Sequence, residues 1–161
     1  KKRFQPKTTT NRLANLCIQG KNIPDEENDF TEGKCPLLED HECPVYQARP
    51  FGCRCFVSKH DCREKGYADV DPFIISVNSV FLQFVEHIDY NGFSGNLVDI
   101  LILMSSKENR YNYKTNTLKN TDSRLITNIP VKVLIVPHEH RIQMKPILRA
   151  LESIIKLKAF G

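Results

Sequence analysis

Residues 35–62 read Cys35-Pro-Leu-Leu-Glu-Asp-His-Glu-Cys43-Pro-Val-Tyr-Gln-Ala-Arg-Pro-Phe-Gly-Cys53-Arg-Cys55-Phe-Val-Ser-Lys-His-Asp-Cys62. Five of the six cysteines fall within these 28 residues, and Cys17 lies upstream. Pro36, Pro44, Pro50 and Gly52 interrupt the stretch, so neither a long helix nor a regular sheet can run through it. A segment this irregular has few ladder hydrogen bonds and needs another source of shape. Its residues offer cross-linking through sulfur, either to a metal or as disulfides.

Intervals of seventeen, seven, nine, one and six residues separate consecutive cysteines. None is the two-residue interval of a zinc knuckle. Thiolates are soft ligands, however, and four of them from separate proline-turned loops satisfy tetrahedral zinc or an iron–sulfur cluster. Clustering in one segment of a mid-sized chain with no signal-peptide pattern favours the metal, with disulfides as the alternative. His41 and His60 lie inside the segment and could replace a thiolate. His138 and His140 form a further candidate pair, because alternate residues of an extended chain point the same way. The ordinary roles for such histidines are at the surface or at a helix start.

At 161 residues the chain is expected to form one domain, with a cysteine-rich subdomain over 10–66 and a helical part over 67–161. Its 40% hydrophobic and 26% charged content is that of a soluble globular protein. The net charge of +4 is scattered, and Lys1, Lys2 and Arg3 form the only basic run. No basic stripe interleaved with aromatics stands out, so nucleic acid is not an expected partner. The longest apolar run, 97–104, is interrupted by Asp99 and falls far short of the roughly 20 residues of a membrane span. A cytoplasmic location is expected. No glycine-rich phosphate loop, serine-triad motif or His-Glu-x-x-His site is present.

Hydrophobic periodicity sets the rest. Thr10 can cap a short helix through about Gln19, with Leu13, Leu16 and Cys17 on its apolar side and Gly20 closing it. Asp71-Pro72 is a cap followed by a first-turn proline. Phe73, Val77, Phe81, Phe84, Val85 and Ile88 then recur at helical spacing over about 72–89. Asn91-Gly92 ends that helix, and Ser94 can cap another through about Ser106. Leu97, Ile100, Leu101 and Met104 would face inward there, in a run so apolar that it reads as central to the core, with a buried strand as the alternative. Residues 107–129 read as a long loop with at most a short strand at 124–127. Residues 131–136 read as a strand or as an extended segment packed on the helices. A last helix covers about 146–159, with Ile147, Leu148, Leu151, Ile154 and Ile155 on one face. Pro146 either starts it or kinks a longer helix that begins near Glu139.

The cysteine segment resembles a known family. Cys35-Pro-Leu-Leu, Cys43-Pro-Val-Tyr46, Arg49-Pro50, Cys53-Arg54 and the later Cys62 are similar to the second half of the motif of the YkgJ-type cysteine-cluster family, a zinc- or iron-chelating domain in its description. The likeness covers about thirty residues. That family's Cys-x-x-Cys-x-x-Cys-Cys cluster belongs upstream, where only Cys17 lies here. The resemblance implies Cys35, Cys43, Cys53 and Cys62 as ligands; Cys17 and Cys55 are further candidates that it does not match. Arg49 and Arg54 suit such a site, since guanidinium donors offset thiolate charge; for Arg49 a carboxylate partner is the alternative. Tyr46 is expected to pack its ring under the loop and to hydrogen-bond through its hydroxyl.

The expected molecule is mainly α: an irregular, metal-stapled N-terminal segment packed on a small helical bundle with a short strand. Its expected function is holding zinc or an iron–sulfur cluster through clustered thiolates. An enzyme related to flagellin lysine N-methylases, which resemble the same family, is the second reading. A partner-binding module with disulfides is the third, using the basic tail and the Asn-rich stretch as contact surfaces for a protein.

Overall fold

Thr9 opens the first helix: its Oγ1 accepts from the Arg12 amide at 3.3 Å, satisfying a donor that the helix itself cannot. The structure, a computed structural model, describes residues 5–22, 39–40, 42–55, 57–60, 69–120 and 122–158, with the backbone alone for 155–158. These residues are mainly helical. Six α-helices appear among them: α1 (Thr10–Ile18), α2 (Phe51–Arg54), α3 (Pro72–Ile88), α4 (Leu97–Ser105), α5 (Lys107–Lys114) and α6 (Arg141–Lys158). Two 3-10 turns, Tyr46–Ala48 and His138–His140, and one antiparallel pair complete the fold. In that pair β1 (Phe93–Ser94) lies beside β2 (Ile126–Thr127), with Phe93 opposite Thr127 and Ser94 opposite Ile126.

The helices with strong periodicity form where the sequence places them, although Thr9 rather than Thr10 caps α1. Gly20, at φ +61°, closes α1 with the left-handed conformation that glycine adopts most cheaply. Asp71 caps α3: its carboxylate accepts from the Phe73 amide at 2.9 Å and its carbonyl from the Ile75 amide at 3.0 Å. For α6 the longer of the two alternatives holds. The 3-10 turn at 138–140 leads straight into Arg141, and Pro146 lies inside the helix.

The chain divides into two compact units, each built from two stretches: Lys1–Arg49 with Val85–Lys132, and Pro50–Phe84 with Val133–Gly161. The second has an apolar core. Val80, Phe84, Val136, Met144 and Leu151 are buried together, flanked by Phe73, Val77, Phe81, Leu134, Ile147 and Leu148. Phe51 of α2 packs on Phe81 with ring centroids 5.7 Å apart. Residues 131–136 carry no strand pairing; of the two sequence readings, the extended segment holds. Gln83 takes the place of a neighbouring strand, receiving the Ile135 amide at 2.8 Å and donating to the Ile135 carbonyl at 3.0 Å.

The first unit buries polar groups as well as apolar ones. Ala14, Leu125 and Val131 are buried, and so are Thr9, Asn11, Glu86, Asp99 and Asn128. Glu86 accepts from the Asn11 amide at 2.8 Å and from the Ile129 amide at 3.1 Å, so one carboxylate ties α1 to the chain after β2. Asn11 donates to the Ile129 carbonyl at 2.8 Å. Buried polar groups persist in a core only when paired in this way.

Three expectations are corrected. The apolar run 97–105 is a helix, capped by Asn96 rather than Ser94, and it is not central: Leu101 and Ile102 are about half exposed, while Asp99 is 1% exposed. The ion pair with Arg124 draws Asp99 inward and turns the apolar side of α4 outward. The stretch after it is not a long loop, because Lys107–Lys114 is helical, capped by Ser106. On α3, Val85 and Ile88 are exposed at 43% and 46%, and the buried residues in that part of the helix are Gln83, Phe84 and Glu86. No helix among the described residues is long and apolar enough to cross a membrane.

Candidate metal centre

Four of the six cysteines lie among the described residues, and all four carry free thiols. Cys35, Cys62 and His41 lie outside the described residues. Cys43 is half-buried and leads into the 3-10 turn, with its carbonyl accepting from the Tyr46 amide at 3.0 Å. Cys53 lies within α2 and Cys55 caps its end, both half-buried. Pro50 is the N-cap of that turn, in an extended conformation, and its carbonyl accepts from the Cys53 and Arg54 amides at 3.1 and 3.3 Å. The Cys55 carbonyl is held by Asn78 Nδ2 of α3 at 3.0 Å, which anchors the end of the turn to a long helix.

Burial pushes the Cys55 thiol above its ordinary value, and the charge of Cys53 pushes it further. Two thiols one residue apart thus feel each other in a partly desolvated place. Cys17 is exposed on the last turn of α1, not on an apolar side. The helix buries Asn11 and Ala14 in its first part, and residues 17–20 all face solvent.

Tyr46 also departs from expectation. It is 56% exposed, and the Arg49 guanidinium sits over its ring, 4.0 Å from the centroid. Their three-residue separation across the 3-10 turn places the cation on the ring face, so a cation–π contact replaces ring burial under the loop. Arg54, in the last turn of α2, is exposed.

The histidines divide. His60 Nδ1 stands 4.0 Å from Asp69 Oδ2, and its backbone amide donates to Ser58 Oγ at 3.3 Å. His138 and His140 occupy a 3-10 turn rather than an extended chain, so alternate residues do not share a direction. His140 is built into the fold: Nδ1 is 2.7 Å from the Ser76 hydroxyl and its ring meets Phe73 edge-on at 5.5 Å. Sequence periodicity had no means of showing that link, which joins residues 64 apart.

No group of three or more His, Cys, Asp or Glu side chains placed to hold a metal occurs among the described residues. Of the five cysteines of 35–62, the described residues include Cys43, Cys53 and Cys55. Thiolates are soft donors as a class, and in the sequence Arg49 and Arg54 lie on either side of Cys53. Compared with protein-family models, curated proteins and solved structures, the chain finds no match in any of the three.

Proposed function

We propose that the segment 35–62 binds one metal centre, zinc or an iron–sulfur cluster, through the thiolates of Cys35, Cys43, Cys53 and Cys62, with Cys55 and Cys17 as further candidates. The observation that supports this best is the state of Cys53 and Cys55: free, half-buried thiols one residue apart. A structural thiol with no ligand to hold is more often alone and fully buried. Four thiolates suffice for one zinc ion or one cluster and not for two separate sites. Among the described residues of 35–62 the helical elements are single turns, so a metal would have a role in holding the segment's shape.

The experiment is metal analysis with an optical spectrum of the chain purified anaerobically. One equivalent of zinc with no visible band, or iron and sulfide with visible absorption, supports the proposal. A chain that holds neither metal, and takes up neither zinc nor reconstituted cluster at stoichiometric amounts, overturns it.

A further inference from the structure

Among the described residues, the side-chain hydrogen bonds that hold helix α5 to other elements of its unit come from one side of it. Asn109 Nδ2 donates to the Leu103 carbonyl at 2.8 Å, and Arg110 Nη1 caps the end of α4 through the Met104 and Ser105 carbonyls at 2.6 and 2.7 Å. Tyr113 donates its hydroxyl proton to Asp89 Oδ1 at 2.5 Å. Positions 109, 110 and 113 therefore form the anchored side.

Positions 107, 111 and 114 lie one turn apart on a different side of the same helix. Lys107, Tyr111 and Lys114 are all exposed, and Tyr111 is 68% exposed. None of the three side chains has a hydrogen bond or ion pair among the described residues. An exposed tyrosine ring thus stands between two ammonium groups, one turn before it and one turn after. Charge concentrates here too. Residues 107–119 hold Lys107, Arg110, Lys114 and Lys119 against Glu108 alone, so thirteen residues supply three of the chain's four net positive charges.

We infer that this side of α5, formed by Lys107, Tyr111 and Lys114, is a contact surface for single-stranded nucleic acid. A flat ring flanked by cations at one-turn spacing matches an unpaired base flanked by two phosphates, with the base stacked on Tyr111. An acidic protein surface would engage the lysines and leave the ring without a matching partner. A duplex would engage them through phosphates alone, since its bases are already stacked. Nucleic acid was not an expected partner because the charges are scattered and no basic stripe interleaved with aromatics stands out in the sequence; the helix Lys107–Lys114 sets Lys107, Tyr111 and Lys114 at one-turn spacing. The inference is independent of the metal centre.

The test is fluorescence anisotropy of labelled (dT)20 and (rU)20 with the full chain across a sodium chloride series. Binding in the range of about 10⁻⁶ to 10⁻⁴ M at low salt is expected. Tyr111→Ala should weaken it by about fivefold or more with the salt slope unchanged, and Tyr111→Phe should restore it. Lys114→Gln should flatten the slope by about 0.7, the share of one phosphate contact on a single strand. Unchanged circular dichroism keeps a folding defect apart from lost contact. The two probes decide between DNA and RNA. Wild-type binding by both Tyr111→Ala and Lys114→Gln overturns the inference, as does no binding at low salt. Labelled polyglutamate or duplex bound as tightly as (dT)20, with Tyr111→Ala without effect, replaces it with a plain polyanion surface.

Discussion

Gln83 and Ile135 are joined by two hydrogen bonds, side chain to main chain: the Ile135 amide donates to Gln83 Oε1 at 2.8 Å, and Gln83 Nε2 donates to the Ile135 carbonyl at 3.0 Å. A primary amide presents a donor and an acceptor side by side, which matches what one residue of a strand offers its neighbour. Gln83 is 2% exposed, so water does not replace it. Gln83→Leu, close in size, should leave both Ile135 groups unsatisfied and cost on the order of 1–3 kcal/mol for each. Chemical denaturation measures the loss, and hydrogen exchange should show the Ile135 amide opening first.

Phe84 is 6% exposed in the apolar core with Val80, Val136, Met144 and Leu151. Phe84→Ala should destabilise the chain by about 3–5 kcal/mol through lost transfer energy and a residual cavity. Phe84→Leu should cost markedly less, since it keeps most of the volume. Denaturant midpoints of the two variants check the order.

Asp99, at 1% exposure, is held by Arg124 Nη1 and Gln5 Nε2, each at 2.9 Å. Arg124 also grips Asp122 through Nε and Nη2, and that pairing holds the Asp122 carboxyl down to about 2. Arg124→Met removes the cation that faces the buried Asp99 carboxylate and should lower stability near neutral pH, by less than for a fully buried pair because the Arg124 side chain is 42% exposed. Asp99→Asn combined with Arg124→Met should recover part of the loss. A double-mutant cycle at fixed pH reads the coupling.

The Tyr113 phenol donates to Asp89, and that bond, with burial and the Asp89 charge, raises its pKa to about 12. The folded state thus binds this proton more tightly than the unfolded chain, whose tyrosines titrate near ~10. The stability it contributes is complete below the unfolded value and is lost as pH rises through about 12. Absorbance at 295 nm should show one of the five tyrosines ionising late. Tyr113→Phe should remove the late step, and Asp89→Asn should move it down toward ~10.

For the thiols, Cys53→Ser and Cys43→Ser should each lose the metal and loosen the segment 35–62, because ligand binding and folding are coupled. Cys55→Ser is the informative contrast, since its neighbour Cys53 is one residue away and the pair need not share one ion. Metal content per chain, measured beside accessible-thiol titration, distinguishes the three. Full retention in both Cys43→Ser and Cys53→Ser would remove those residues from the ligand set.

Of the candidate site, the sequence shows the density of thiols and the breaks that forbid regular structure around them. It does not show that the Cys55 carbonyl is held by Asn78, or that Tyr46 takes Arg49 onto its ring rather than burying it. Tyr46 and Arg49 are close in sequence, yet their contact depends on residues 46–48 closing as a 3-10 turn. The free state of Cys53 and Cys55 is likewise a property of the folded chain.

By itself the sequence determined what repeats locally. Helix α3 begins at Asp71-Pro72 because cap and proline act within one turn, and α1 ends at Gly20 for the same reason. The long apolar periods of α3 and α6 select a helix whatever packs against them. Tertiary structure alone decided which side of each element is buried and where the polar groups find partners. Helix α4 faces as it does because Asp99 meets Arg124, 25 residues on, and Gln5, 94 residues back. Asn11 meets Ile129 across 118 residues. Helix α5 is polar all round, so no hydrophobic period announces it; its caps, the bonds of Asn109 and Arg110 to the end of α4, and the bond of Tyr113 to Asp89 hold it. A hydrophobic period is a local average, whereas the pairing of one buried charge or amide is a single long-range event that the surrounding residues do not encode.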